Sequence, residues 1–112
     1  MKKLDALTDI DSLDGKLLNA VIANDGQLVE ELLTQGANPN CFEDKCEIRP
    51  LHFACVYNSN NVIFPLIKNG AKINAITNEG YSPIDIANQL KHDEVAQILE
   101  QLSANLVSFY DG

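Results

Sequence analysis

Arg49-Pro50-Leu51-His52-Phe53-Ala54-Cys55 is the stretch that decides the fold. It reads as a turn running into a short helix. Proline is tolerated in a first helical turn, because the amide it lacks would have no intrahelical partner there. Leu51, Ala54 and Cys55 then fall at i, i+3 and i+4, so they share one buried face.

Working outward, the same marks return at fixed spacing. Ser82-Pro83-Ile84-Asp85 follows thirty-three residues after Arg49-Pro50-Leu51-His52, and Ala87 answers Ala54. Gly36-Ala37-Asn38-Pro39-Asn40 stands 34 residues before Gly70-Ala71-Lys72-Ile73-Asn74. Leu28, Val29, Leu32 and Leu33 match Val62, Ile63, Leu66 and Ile67 in the same phase, and Val95, Ile98, Leu99 and Leu102 give a third stripe. A period of this length marks stacked supersecondary units.

On these residues the chain resembles the ankyrin repeat family. Its unit carries a Thr-Pro-Leu-His turn, a short helix, a second helix and a Gly-Ala-x-x-Asn ending. Here the middle copy holds Pro50-Leu51-His52, Ala54, Gly70-Ala71 and Asn74. Three phased copies with matching stripes make the resemblance specific, where one Pro-Leu-His would not. It implies an all-α solenoid of paired antiparallel helices with β-turn arms. The expected divisions are a lead-in (1–13), repeats at 14–40, 41–74 and 75–103, and a tail (104–112). The first copy lacks the turn and arm and reads as an N-terminal cap. The third, with Asp85 in place of His52 and Glu100 in place of Ile67, reads as a C-terminal cap with a polar outer face.

Local signals refine this reading. Leu4, Leu7, Ile10 and Leu13 permit a short helix or an extended lead-in, expected to be loosely held. Asp14 can cap a helix start. The second helix should run from about Gln27 to Gln35 and stop at Gly36. The middle arm, Cys41 to Ile48, is one residue longer than the standard arm and has no glycine at its tip, so it should be distorted. Pro65 either kinks its helix or falls in a tolerated first turn. Leu106, Val107, Phe109 and Tyr110 are expected to fold back over the last helix; the alternative is a hydrophobic docking tail.

Composition narrows the function. Sixteen acidic against eight basic residues give a net charge of −8. That argues against nucleic acid and anionic membrane as partners, since both need clustered Lys and Arg. The charge favours a basic partner. Three cysteines, Cys41, Cys46 and Cys55, follow no zinc spacing. Together with the start Met1-Lys2-Lys3-Leu4-Asp5-Ala6, which lacks an apolar run, they point to the reducing cytosol. No stretch approaches a membrane span of about 18 apolar residues.

No catalytic constellation stands out, and neither a cofactor nor a metal is expected. His52 matches the family's turn histidine, whose role is hydrogen bonding within the loop. His92 is expected to be solvent-exposed. His52 and Cys55 lie three apart and could form a thiolate–imidazole pair, but no orienting group or oxyanion site accompanies them.

What remains is a surface. In the family, arms and inner helix ends make a concave binding face. Carried onto this chain, it comprises Phe42, Asp44, Lys45, Glu47 and Ile48 on the first arm, and Val56 and Tyr57 on the following helix. The second arm adds Ile76, Asn78, Glu79 and Tyr81, with Gln89 and Leu90 beside them. Phe42 and Ile48 could instead pack beneath an irregular arm. The expected function is therefore a non-enzymatic protein-binding module, monomeric when free. Analogy to small proteins of the family suggests an inhibitor or immunity-type role. The alternatives are a scaffold subunit self-associating through its tail, and a thiol-based redox protein.

Overall fold

The computed structural model describes residues 12–41 and 47–111, with side chains as far as residue 104. Six helices occur among these residues: α1 (Leu13–Ile22), α2 (Gly26–Thr34), α3 (Pro50–Val56), α4 (Ile63–Lys68), α5 (Pro83–Gln89) and α6 (Asp93–Asp111). They form three helix pairs stacked in two rows. In the inner row α1 packs on α3 and α3 on α5; in the outer row α2 packs on α4 and α4 on α6. One continuous core runs through the stack. Leu17, Val29, Leu51, Ile63, Leu66 and Leu99 are among its buried members.

The inner helices close alike, in phase with the sequence period. Asn24, Asn58 and Lys91 take φ of +58°, +56° and +63°. The amide after each donates back to Ala20, Ala54 and Ala87, at 3.0, 2.8 and 2.8 Å. Those three alanines are buried between the rows. The outer helices α2 and α4 stop on Gly36 and Gly70, at φ +114° and +104°. The next amides, Ala37 and Ala71, donate to Leu32 and Leu66. This is the left-handed closure that glycine permits without a Cβ penalty.

Neighbouring copies are sewn together by side chains reaching backbone. Asn24 Oδ1 accepts from the Asn61 N–H at 2.8 Å, and its Nδ2 donates to Asn60 Oδ1 at 3.1 Å. Asn40 Oδ1 accepts from the Lys72 N–H, and its Nδ2 donates to the Gly70 carbonyl, both at 2.9 Å. Across the outer row Lys68 pairs with Glu30. At Gly26 the copies approach so closely that a Cβ would lie 2.5 Å from the Asn61 carbonyl oxygen.

Four local expectations take definite form. Asp14 does not cap α1; Ser12 does, its Oγ accepting from the Gly15 N–H at 2.9 Å. Asp14 instead accepts from the Asn38 N–H at 2.7 Å, where the chain leaves α2. Pro65 falls in the first turn of α4, so its missing amide interrupts no helical bond. Residues 104–111 do not fold back: α6 continues as one helix to Asp111. The lead-in at 1–11 lies outside the described residues.

Candidate functional site

The second arm is built around Thr77. The Thr77 N–H donates to the Tyr81 carbonyl at 2.9 Å, and the Gly80 N–H returns to the Thr77 carbonyl at 2.9 Å. Gly80, at φ +91°, supplies the tip as its position suggested. The buried Thr77 hydroxyl accepts from the Glu79 and Tyr81 amides, at 3.3 and 3.2 Å. With the hydroxyl satisfied inside the turn, Ile76, Asn78, Glu79 and Tyr81 are all exposed. Sequence reading passed over Thr77; a hydroxyl three residues ahead of an arm-tip glycine was its signal.

His52 fixes this arm to the preceding copy. Its Nδ1 accepts from the Arg49 N–H at 3.0 Å, so Nε2 carries the proton and donates to the Ala75 carbonyl at 2.8 Å. The expected bond within its own turn is present, and the ring also reaches the next copy. Burial, the largest cause, holds the imidazole below its usual pKa. The Arg49 Nη1 donates to the Asn40 carbonyl at 2.8 Å and ties the base of the first arm.

The first arm is only partly described. Phe42, Asp44 and Lys45 lie outside the described residues. Glu47 is exposed and takes left-handed geometry, φ +58°. Ile48 is half-buried rather than projecting.

The inner helix ends continue the surface. Val56 and Tyr57 close α3, and Gln89 and Leu90 close α5; all four are exposed. The structure adds Ile22 and Ala23, exposed at the same phase of α1. Counting 34 back from Val56 and Tyr57 would have found them. Phe64 is the most exposed large apolar side chain among the described residues, at 57%, and stands on the outer helix α4.

The arrangement offers little chemistry. Cys55 and Cys41 are buried, and burial pushes each thiol up to about 12; the Asp14 charge adds to this at Cys41. Such thiols carry little thiolate near neutral pH. Both ring nitrogens of His52 are committed to backbone, so neither serves the Cys55 thiol. His92 is not solvent-exposed as expected. It is half-buried, and its Nδ1 donates to the Cys55 carbonyl at 2.7 Å. Among the described residues no cluster of three His, Cys, Asp or Glu could hold a metal ion. No described helix is long and apolar enough to cross a membrane.

Comparison with known proteins agrees with this architecture. Residues 17–108 match the family described as ankyrin repeats (3 copies). Over 82 residues, 73% of this chain, the sequence is 29% identical to cyclin-dependent kinase 4 inhibitor B of Rattus norvegicus, covering 63% of that protein. It is also 29% identical over 82 residues to human cyclin-dependent kinase inhibitor 2A, covering 53% of it. A third relative is the Drosophila melanogaster ARF GTPase-activating protein Git, 33% identical over 67 residues and only 9% of its length. The chain thus spans less than two thirds of the relatives it matches.

Proposed function

The chain belongs to the ankyrin repeat family, and from that premise we propose that it is a non-enzymatic module that binds and occludes a partner protein on its arm and inner-helix face. One observation carries the reading. Val56, Tyr57, Ile76, Tyr81 and Leu90 are large apolar or aromatic side chains, all exposed, on adjoining arms and inner helix ends. The core has no need of them. Aromatic anchors inside an acidic rim are what partner interfaces use. A stable interface needs roughly 800 Å² per side.

Two of the relatives are named as inhibitors of cyclin-dependent kinases. A kinase catalytic domain is therefore the first partner to test, with inhibition by occlusion as the expected effect. Binding would be followed by surface-immobilised kinetics. Tyr57→Ala with Tyr81→Ala should raise the dissociation rate at least about tenfold, as loss of central anchors does. Absence of binding removes kinases as the partner. Co-purification from native lysate then names the partner, and the same double variant tests the face. Retained binding by that variant would show that the face is wrong.

A further inference from the structure

Resting on the face proposed above as the binding surface, we propose that its occupant is one amphipathic helix of the partner, laid across the inner helices with basic residues along its arm-side edge. Val56 and Tyr57 close α3, and the same phase places Ile22 at the end of α1 and Leu90 at the end of α5. All four are at least 38% exposed. α1 packs on α3 and α3 on α5, so three apolar rungs recur at the spacing of packed helices, roughly 8–10 Å. An α-helix returns to one face every seven residues, about 10 Å at its 1.5 Å rise. Apolar side chains at i, i+7 and i+14 of such a helix therefore meet the three rungs in turn.

Width favours a helix over an extended segment. The rungs stand at the C-terminal ends of the inner helices and the arms at the N-terminal ends. Tyr81 lies two residues before α5, and Ala75 is tied to His52 in the first turn of α3. α3 and α5 are seven residues long, so arms and rungs stand about 10 Å apart at 1.5 Å per residue. A helix with its side chains is about 10–12 Å across. Strands pair only about 5 Å apart, so an extended segment would leave half that width unfilled. The two edges differ in charge. Glu47 and Glu79 are exposed on the arms, which calls for Lys or Arg on the bound helix there. Beside the rungs, exposed Asp25 follows α1 and exposed Lys91 follows α5. A helix carries partial positive charge at its N-terminus and partial negative charge at its C-terminus, so the bound helix runs from α1 toward α5.

The test pans two displayed libraries of segments about 15 residues long on the full chain, enough to span three rungs. One holds basic amphipathic helices with varied apolar positions. The other has the same composition with two prolines, which break the helix. Only the helical library should enrich. A synthetic peptide of an enriched sequence should shift the Ile22, Val56 and Leu90 methyl signals, and Tyr57→Ala should weaken its binding about tenfold or more. Exchanging the charges at the peptide's two ends should weaken it about two- to fivefold; unchanged affinity overturns the assigned direction. Equal enrichment of the proline library, no enrichment, or shifts confined to other surfaces overturns the helix. The face is judged separately, by partner binding of the Tyr57→Ala, Tyr81→Ala variant. Loss there without helix enrichment keeps the face and removes the helix.

Discussion

His52 concentrates the residue-scale chemistry. Its ring accepts from the Arg49 amide and donates to the Ala75 carbonyl while fully buried. A second ring proton would face the Arg49 N–H, donor against donor. The geometry and the lowered pKa therefore agree: the folded protein holds this group neutral. The unfolded chain takes up a proton near the ordinary value of 6.5. The contribution is thus fully present above that pH and is lost as pH falls through the folded value. Urea midpoints should drop between pH 7.5 and pH 5.5, and His52→Gln should drop less. Equal drops in parent and variant would assign the pH dependence elsewhere. Lys91 offers a second residue-scale prediction. It holds left-handed geometry where the other copies use Asn24 and Asn58, and asparagine tolerates that region better than a long side chain. Lys91→Asn should stabilise by about 0.5–1 kcal/mol, read as a higher urea midpoint with an unchanged slope.

At the scale of elements, the joints between copies decide stability. Leu66 on α4 is fully buried, and α4 packs against both α2 and α6. Leu66→Ala should cost roughly 2–5 kcal/mol. Three copies coupled through nearest neighbours should then melt together. A calorimetric trace with a surviving second transition would contradict that coupling. Gly26 makes the opposite case to helix propensity. Replacing a helical glycine by alanine ordinarily gains roughly 0.5–1 kcal/mol, yet here the new Cβ would meet the Asn61 carbonyl oxygen at 2.5 Å. Gly26→Ala is expected to lower the melting temperature, and a rise would mean that the 60–61 loop yields freely. This residue also shows where sequence reading stops. The residue types of Asn24-Asp25-Gly26 make a turn legible there, because turn chemistry is local. Gly26 as a packing residue is not legible, because the atom it spares lies 35 positions away. The helix pairs and closures were legible for the converse reason: each is set by a period that recurs along the chain. His92 escaped in the same way as Gly26, since its partner is the Cys55 carbonyl of the previous copy.

At the scale of the whole molecule, a charge of −8 gives a long-range bias to any encounter. Glu47 and Glu79 project into solvent from the arms, where each exposed pair with a partner contributes little, about 0–1 kcal/mol. Their joint field acts on approach and is screened beyond about 8 Å at physiological salt. Asp44→Lys with Glu47→Lys should therefore slow association several-fold with little change in dissociation. The slowing should shrink as salt rises. Association rates indifferent to both charge and salt would remove steering from the account. The candidate face itself was legible only by analogy of phase. The period locates arm and helix-end positions, but nothing in it distinguishes the projecting Tyr81 from the half-buried Ile48.

The sewing between copies has a consequence for how this chain can change over generations. Asn24 binds the Asn61 amide, Asn40 the Lys72 amide and the Gly70 carbonyl, His52 the Ala75 carbonyl, and His92 the Cys55 carbonyl. In each of these bonds the receiving atom is backbone, which every residue except proline at an amide supplies in the same way. The coupling is one-sided. Asn40 and His52 are bound to their identity, whereas Lys72 and Ala75 are free to drift. A complete substitution map should be intolerant at the senders and permissive, proline apart, at the receivers Asn61, Lys72 and Ala75, while Gly70 stays bound by its positive φ and Cys55 by its burial. Neighbouring copies can then diverge without waiting for matched second mutations.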